Sequence, residues 1–596
     1  MKSASRGKGL IPDELWKDFQ FSEAFRLLRH LPFLLTFIGL LAVLYDFGFN
    51  QTVSQQKLLN QYYIFLMAVE CLFLTLRYFL FHRKKALKVA VFDVFQSVLL
   101  VLTLPVLLNL WNFPFFTTQL WLSFVFLMLF IRELSAERIE FKRRYVNPAQ
   151  LFMFSFFAVI MVGAYALMFP NATTHGISFI DALFTSASAV CVTGLAVVDT
   201  GTYFTPMGQT TIMILIQLGG LGIMTFTSYF SYFFTGQSSY ENQLLIQEMT
   251  SSDKISDVFS TLKRVILLTF VIETIGALFI FFSLNPSLLP GLGDRVFFSM
   301  FHSVSGFCNA GFSTLTNNFY ELGYRFNYPL HLTVAFLIII GGIGFPIMFN
   351  FAKYLKHVFK HRIFKKNHIH LPWVININTR IVLVTTMILL VVGTALIFLF
   401  EYNNTLAEHG LFGKVVTAFF GAVTPRTAGF SSVDYTQIHM STILLLYVLM
   451  WIGASPASTG GGIKTSTFAI SVMNAIALAR GKDRIECYGR EISDSSIRRA
   501  HSQIFLSLFV IMLSVFLVTY FDPALDFKAI VFECISAFGT VGLSLGITAK
   551  LSAASKLIIT ITMFIGRISL LTILASFLKQ VKFQKYRYPS EDITIN

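Results

Sequence analysis

The sequence predicts an all-α polytopic membrane protein: four N-terminal transmembrane helices, then four tandem span–half-helix–loop–span units about a pseudo-fourfold axis. Three observations carry that prediction. Hydrophobic residues fill 55% of 596 positions and charged residues 13%, with 67 phenylalanines. A soluble chain carries about 25% charge, so this one could not cover its surface in water. Apolar runs near the roughly 20 residues that cross a bilayer core as helix recur along the chain. From residue 150 onward one pattern returns four times, with a glycine-bearing loop at the same place in each copy. Such self-similarity marks stacked structural units.

Residues 1–30 are polar and mixed in charge and read as a cytoplasmic N-terminus. The first apolar run, Leu31 to Phe49, is followed by Asn50-Gln51-Thr52 rather than a small-residue cleavage site, so it reads as an uncleaved anchor. Runs at about 61–81, 87–110 and 114–131 complete four spans within the segment 31–145. Their connections alternate in charge. Residues 50–60 hold one cation, Lys57, and 111–118 hold none, whereas 82–88 hold Arg83, Lys84, Lys85 and Lys88. The linker 132–144 holds Arg132, Arg138, Lys142, Arg143 and Arg144. Cations mark the cytoplasmic side, so the N-terminus is inside and the fourth helix returns the chain there. No cation repeats along the fourth run, which excludes an arginine-ladder voltage sensor. Glu70, Arg77 and Asp93 are candidate partners within the membrane.

The net charge of +15 sits mostly in these short connections, which excludes nucleic acid as a partner and leaves lipid as the surroundings. Five scattered cysteines (Cys71, Cys191, Cys308, Cys487, Cys534) form no CxxC pair or zinc spacing, so neither a disulfide framework nor a structural metal is expected. No HExxH or similar cluster lies in a span, and histidines fall mainly in loops such as His357, His361, His368 and His370. An enzyme is therefore not expected.

Long spans begin near 151, 263, 380 and 503, dividing the rest into units 146–262, 263–379, 380–502 and 503–596, the last with a cytoplasmic tail. Their loops carry glycines at 194, 311, 429 and 542, spaced 117, 118 and 113 residues apart. The stretches before the loops, about 178–190, 294–306, 412–424 and 526–538, are too short to span, so they read as half-helices dipping from outside. Asp181, Asp294 and Asp526 stand near their starts, as helix N-termini prefer. The charged segments 231–263, 353–380 and 480–500 return on the cytoplasmic side. All four units then share one orientation, with their loops converging on an axis along the membrane normal.

Irregular backbone at membrane depth is tolerated only against protein or a water-filled cavity. Glycine permits positive φ, so successive carbonyls turn toward the axis. Rings of such carbonyls replace the hydration shell of an ion, and the negative ends of the half-helices favour a cation. The candidate ion-binding residues are Val192, Thr193 and Gly194; Asn309, Ala310 and Gly311; Thr427, Ala428 and Gly429; and Thr540, Val541 and Gly542.

The strings Phe307-Cys308-Asn309-Ala310-Gly311-Phe312-Ser313 and Thr424-Pro425-Arg426-Thr427-Ala428-Gly429-Phe430 resemble the filter segments of the Trk/Ktr/HKT superfamily of potassium transporters. The resemblance covers about 150–596 and fits the pore-forming subunits of the Trk/Ktr branch best; the four N-terminal helices depart from a minimal Ktr subunit. It implies that the twelve loop residues form a potassium-selective filter. In this superfamily a glycine in all four loops goes with potassium preference, and serine in the first with sodium permeation.

The third unit also carries Gly453-Ala454-Ser455-Pro456-Ala457-Ser458-Thr459-Gly460-Gly461-Gly462, which no continuous helix could hold. It resembles the superfamily's intramembrane gating loop, which makes Gly460, Gly461, Gly462, Lys464 and Arg567 the gating residues. The run lacks the GxxxxGK[ST] spacing of a phosphate cradle. The other three second spans, bearing Gly219-Gly220, Gly341-Gly342 and Gly566, are expected to stay largely helical. Arg426 is expected to hold its loop through hydrogen bonds to carbonyls.

The resemblance further implies a homodimer on a ring of soluble nucleotide-binding regulatory subunits. With no Rossmann fingerprint in this chain, that sensor is a separate protein, approached by Arg480–Arg499 and the tail Lys579–Asn596. The expected function is potassium uptake across the cell (plasma) membrane through a channel-like pore gated by the loop, with both termini cytoplasmic. The transported potassium ion is the only bound species expected, with nothing covalently attached. The alternative is a sodium- or proton-coupled potassium symporter.

Overall fold

The apolar runs fold as helices because only a helix satisfies its own backbone in a medium without water. The computed structural model describes residues 23–80, 87–108, 110–111, 113, 118–136, 148–222, 258–364, 375–578 and 591. The N-terminus before 23, the linker 137–147, the return 231–257, residues 365–374 and the tail from Lys579, Glu591 excepted, lie outside the described residues.

Four helices come first: α1 (Glu23–Gly48), α2 (Val53–Leu80), α3 (Leu87–Leu107) and α4 (Gln119–Ala136). They pack on one another around Val43, Tyr63, Leu66, Leu99, Val125 and Phe126. A buried ion pair joins Asp93 of α3 to Arg132 of α4 at 2.6 Å. α4 therefore runs later than the expected 114–131, and it takes in Arg132 because Asp93 offsets the cost of burying that charge. The group meets the rest of the chain at one end, where Asn171 Nδ2 donates to the Phe47 carbonyl (3.2 Å) and Phe49 packs on Phe169.

Next come α5 (Pro148–Leu167), α6 (Phe179–Val190), α7 (Pro206–Leu221), α8 (Val258–Ser283), α9 (Leu292–Cys308), α10 (Tyr328–Ile343) and α11 (Phe345–Phe364). Then follow α12 (Ile377–Glu401), α13 (Leu411–Val423), α14 (Met440–Trp451), α15 (Thr465–Ala479), α16 (Asp494–Phe521), α17 (Phe527–Gly539), α18 (Ala553–Ile568) and α19 (Leu570–Phe577). Local chemistry sets several starts. Ser178, Thr205, Asn327, Asp526 and Ser552 cap their helices by accepting a backbone N–H. The short helices α6, α9, α13 and α17 begin and end within two residues of the expected half-helices.

Among the described residues, five helices are long and apolar enough to cross a membrane, within α1, α2, α8, α12 and α16. Two bent pairs reach that length together: α10 with the start of α11, bent by 101°, and α18 with α19, bent by 86°. These bends correct the expectation of largely helical second spans. α10 stops at Gly344 (φ 92°), α18 at Ser569 (φ 78°) and α7 at Gly222 (φ 77°). A left-handed residue ends a helix whatever its hydropathy.

The short helices each pack against a helix from another part of the chain: α6 on α18, α9 on α7, α13 on α10 and α17 on α14. These contacts close a circle. One large apolar core, including Phe184, Phe301, Phe307, Phe420, Phe430 and Met563, holds it together. Between α15 and α16 a hairpin pairs Glu486–Cys487 with Arg490–Glu491. Its turn, Tyr488-Gly489, has positive φ at both residues, the two-residue hairpin form.

Candidate functional site

The four glycine loops meet at the centre of that circle. In each, the residue two before the glycine has left-handed backbone: Val192 (φ 58°), Asn309 (62°), Thr427 (68°) and Thr540 (50°). The glycines follow at φ 92°, 71°, 75° and 93°. A Cβ added to Gly194 would come under 3.0 Å from the Ala310 carbonyl oxygen, and one on Gly311 from that of Ala428. Gly429 stands in the same relation to Val541, and Gly542 to Thr193. Each loop thus presses on the next, and the fourth on the first. The four triplets of candidate residues are brought together where the loops meet.

A hydroxyl from each short helix fixes its loop. Ser188 Oγ accepts from Gly194 N (3.0 Å) and Ser536 Oγ from Gly542 N (3.1 Å). Ser305 Oγ donates to the Phe312 carbonyl (2.8 Å), and Thr424 Oγ1 to that of Phe430 (2.6 Å). Sequence reasoning passed over these four residues, although a hydroxyl five or six positions before each glycine was the signal. Asn309 and Thr427 link neighbouring loops at 3.1 Å. With its amide oxygen turned toward Thr427, the Asn309 nitrogen faces the Gly306, Phe307 and Ile338 carbonyls.

The segment between α14 and α15 crosses directly against these loops. Gly461 N donates to Thr540 Oγ1 (3.1 Å), and a Cβ on Gly460 would collide with Thr427 Oγ1. Besides a few internal bonds, such as Thr465 N to the Ala454 carbonyl (3.2 Å), it is bonded to three other helices. Ser455 N donates to the Gly342 carbonyl (3.0 Å), Gly462 N to that of Gly566 (3.2 Å), and Thr459 Oγ1 to that of Phe307 (3.2 Å). Lys464 Nζ turns back to the Gly460 carbonyl (2.8 Å). Arg567, on α18, donates to the Thr459 carbonyl and, at 2.5 Å, to the Gly219 carbonyl of α7. One guanidinium fork thereby ties this segment to the first and last parts of the circle. Gly460, Gly461, Gly462, Lys464 and Arg567 are all brought together.

Arg426 behaves otherwise than expected. Its Nε has no hydrogen-bond partner, and its side chain lines a small cavity with Thr386, Leu390, Gly342 and Ala454. A carboxyl that sequence reasoning overlooked, Glu273 of α8, lies buried against Gln217 Nε2 (3.2 Å) and Cys308 Sγ (3.8 Å), just behind the second loop.

Four loops whose glycines each meet a carbonyl oxygen of the next, with a glycine-rich segment against them, are the kind of arrangement that can hold a dehydrated cation. Comparison with known proteins points the same way. The model of a family described as "TrkH: Cation transport protein" matches residues 115–586. "Ktr system potassium uptake protein B" of Bacillus subtilis (strain 168) is 41% identical over 449 residues, 75% of this chain and 96% of that protein. "Potassium/sodium uptake protein NtpJ" of Enterococcus hirae is 36% identical over 463 residues, 76% of this chain and 98% of that one. The crystal structure of the potassium transporter TrkH from Vibrio parahaemolyticus superposes with a TM-score of 0.59 at 16% identity, covering 92% of this chain and 98% of that one.

Proposed function

The chain belongs to the TrkH family of cation transport proteins, and from that premise we propose that it carries potassium into the cell through a channel-like pore closed by an intramembrane loop. The observation that carries this reading is the closed ring of glycine loops, each touching the next. Relatives named for potassium uptake support the choice of ion. The units 146–262, 263–379, 380–502 and 503–596 are then four copies of one pore element about a pseudo-fourfold axis, preceded by four transmembrane helices. The short helices are its pore helices. The filter is the twelve loop residues from Val192 to Gly542, left-handed at the first and third position of each triplet. Such backbone favours carbonyls that all face the axis.

The gate in this reading is the segment 453–464, held by Arg567 and Lys464. Contacts to Thr427 and Thr540, the first-triplet residues of loops three and four, support it. A relative named as one component of a Ktr system supports a separate regulatory partner, which we take to be a soluble nucleotide-binding ring under a homodimer of this chain. The protein sits in the plasma membrane and is a transporter rather than an enzyme.

The second reading, coupling to sodium, is favoured by a relative whose name joins potassium with sodium. Rubidium flux into liposomes containing the purified full chain separates the two. Flux driven by a potassium-diffusion potential, unchanged by a sodium or proton gradient at fixed voltage, is the expected result. Flux that requires either gradient establishes the symporter and overturns the channel-like pore.

A further inference from the structure

Aligned on their loop glycines, the four pore helices place Thr185, His302, Phe420 and Glu533 at one position, nine residues before the glycine. All four are buried. Two of them, in repeats on opposite sides of the ring, reach past the filter to the outward limb of their own loop.

His302 meets the Phe298 carbonyl through Nδ1 (2.9 Å) and Ser313 Oγ through Nε2 (2.9 Å). A carbonyl only accepts, so Nδ1 carries the proton and Nε2 accepts the Ser313 hydroxyl. Glu533 Oε1 is hydrogen-bonded to Thr548 Oγ1, which donates in turn to Ser544 Oγ at 3.0 Å. Ser313 and Ser544 are equivalent, each two residues beyond the filter glycine. The remaining pair make no such brace: Thr185 bonds back to the Asp181 carbonyl (2.8 Å), and Phe420 packs on Phe319.

Glu533 is 0% exposed, its Oε2 has no hydrogen-bond partner, and no cation pairs with it among the described residues. An ionised carboxylate there would face dry protein with hydroxyl support at one oxygen only, a costly state. A carboxylic acid protonated on Oε1 donates to Thr548 Oγ1, whose own proton goes to Ser544 Oγ, so that only a carbonyl lone pair is left without a partner.

We propose that Glu533 and His302 are positioning residues for ion selection, fixing the outward limbs of filter loops four and two, and that Glu533 acts as an uncharged carboxylic acid. This rests on the filter reading of the loops. Ser536 pins loop four at the Gly542 N–H and Ser305 pins loop two at the Phe312 carbonyl, and the limb beyond those points is held by the braces to Thr548 and Ser313. The brace therefore fixes where the last carbonyls stand, and selection depends on that placement.

The test is the potassium-to-sodium permeability ratio of the full chain in liposomes, from reversal potentials in mixed salts, with Gly194→Ser run alongside. Glu533→Ala should lower the ratio by about tenfold, the order set by one buried hydrogen bond. Glu533→Gln keeps an uncharged donor for Thr548 Oγ1 and should stay near the parent. Thr548→Val removes only the hydroxyl from a loop, so it keeps the proposal testable where Glu533→Ala does not fold; it should match the alanine loss. Ser313→Ala should lower the ratio through loop two. Loss in Glu533→Gln equal to that in Glu533→Ala overturns the uncharged brace. Unchanged ratios in Glu533→Ala, Thr548→Val and Ser313→Ala, with Gly194→Ser altered, overturn the proposal and leave the filter standing. If Gly194→Ser is also silent, the filter reading falls and the proposal with it.

Discussion

Val192, Thr427 and Thr540 hold β-branched side chains at φ between 50° and 68°, where such residues are rarely found. Each costs about 1–3 kcal/mol and persists only where its surroundings over-determine it. Here the surroundings are the hydroxyl of the pore helix on one side and the next loop on the other. Gly194→Ser should therefore do more than add a hydroxyl. It brings a Cβ onto the Ala310 carbonyl at φ 92°, and displacing that carbonyl should lower the potassium-to-sodium ratio by about tenfold or more, an energy near 1.4 kcal/mol. An unchanged ratio in a well-expressed variant removes this loop from the filter. Ser536→Ala leaves the Gly542 N–H without its acceptor, a loss of about 1–3 kcal/mol for a buried donor. Lower thermal stability in detergent and a lower ratio are expected; a melting curve and selectivity like the parent's would make the hydroxyl dispensable.

Among the elements, the segment between α14 and α15 has few internal hydrogen bonds and borrows partners from α9, α10 and α18. An element held from outside has alternative arrangements at small cost. Arg567→Ala frees the Thr459 and Gly219 carbonyls and should raise basal rubidium flux with selectivity kept. Arg567→Lys retains the charge but not the fork, so it should fall between. If both variants conduct like the parent, the gate lies elsewhere.

A different element, the loop 402–410 before the third pore helix, carries a pH dependence. His409 Nδ1 faces the Tyr328 hydroxyl at 3.1 Å. Burial, then the Arg325 cation, lower its pKa from the usual value; Glu408 opposes them, and Lys414 adds a smaller lowering effect. The folded state then binds the proton less readily than the unfolded one. The stability it contributes is present above the unfolded value of about 6.5 and is lost as pH falls below it. Melting temperature should drop between about pH 7 and 5, and less steeply in His409→Asn; parallel profiles would show that His409 contributes nothing.

For the whole molecule, the circle α6–α18, α9–α7, α13–α10 and α17–α14 is closed by the chain's last part packing on its first. In the proposed pore, that closure makes a single axial site from segments over a hundred residues apart. The proposed orientation puts the hairpin 486–491 and the start of α16 on the cytoplasmic side. A cysteine introduced at Ser495, in a background where the exposed Cys71 and the half-buried Cys487 are replaced, should react with an impermeant maleimide only after permeabilisation. Labelling from outside reverses the orientation.

The sequence by itself determined the membrane class, the short helices and the four glycines, because hydropathy, helix length and a recurring residue are local properties. It also exposed the break at Pro456 and the triple glycine, since no neighbour could make that stretch helical. Only the tertiary structure decided what those pieces touch. The bends at Gly344 and Ser569, the Arg567 bonds to Thr459 and Gly219, and the failure of Arg426 to reach a carbonyl depend on partners far along the chain. So do the braces at His302 and Glu533: nothing in a pore helix read alone tells whether its ninth residue before the glycine points at its own turn, as Thr185 does, or at the limb beyond the loop. A periodic pattern fixes which residues are equivalent; the packing of one copy against the next breaks that equivalence.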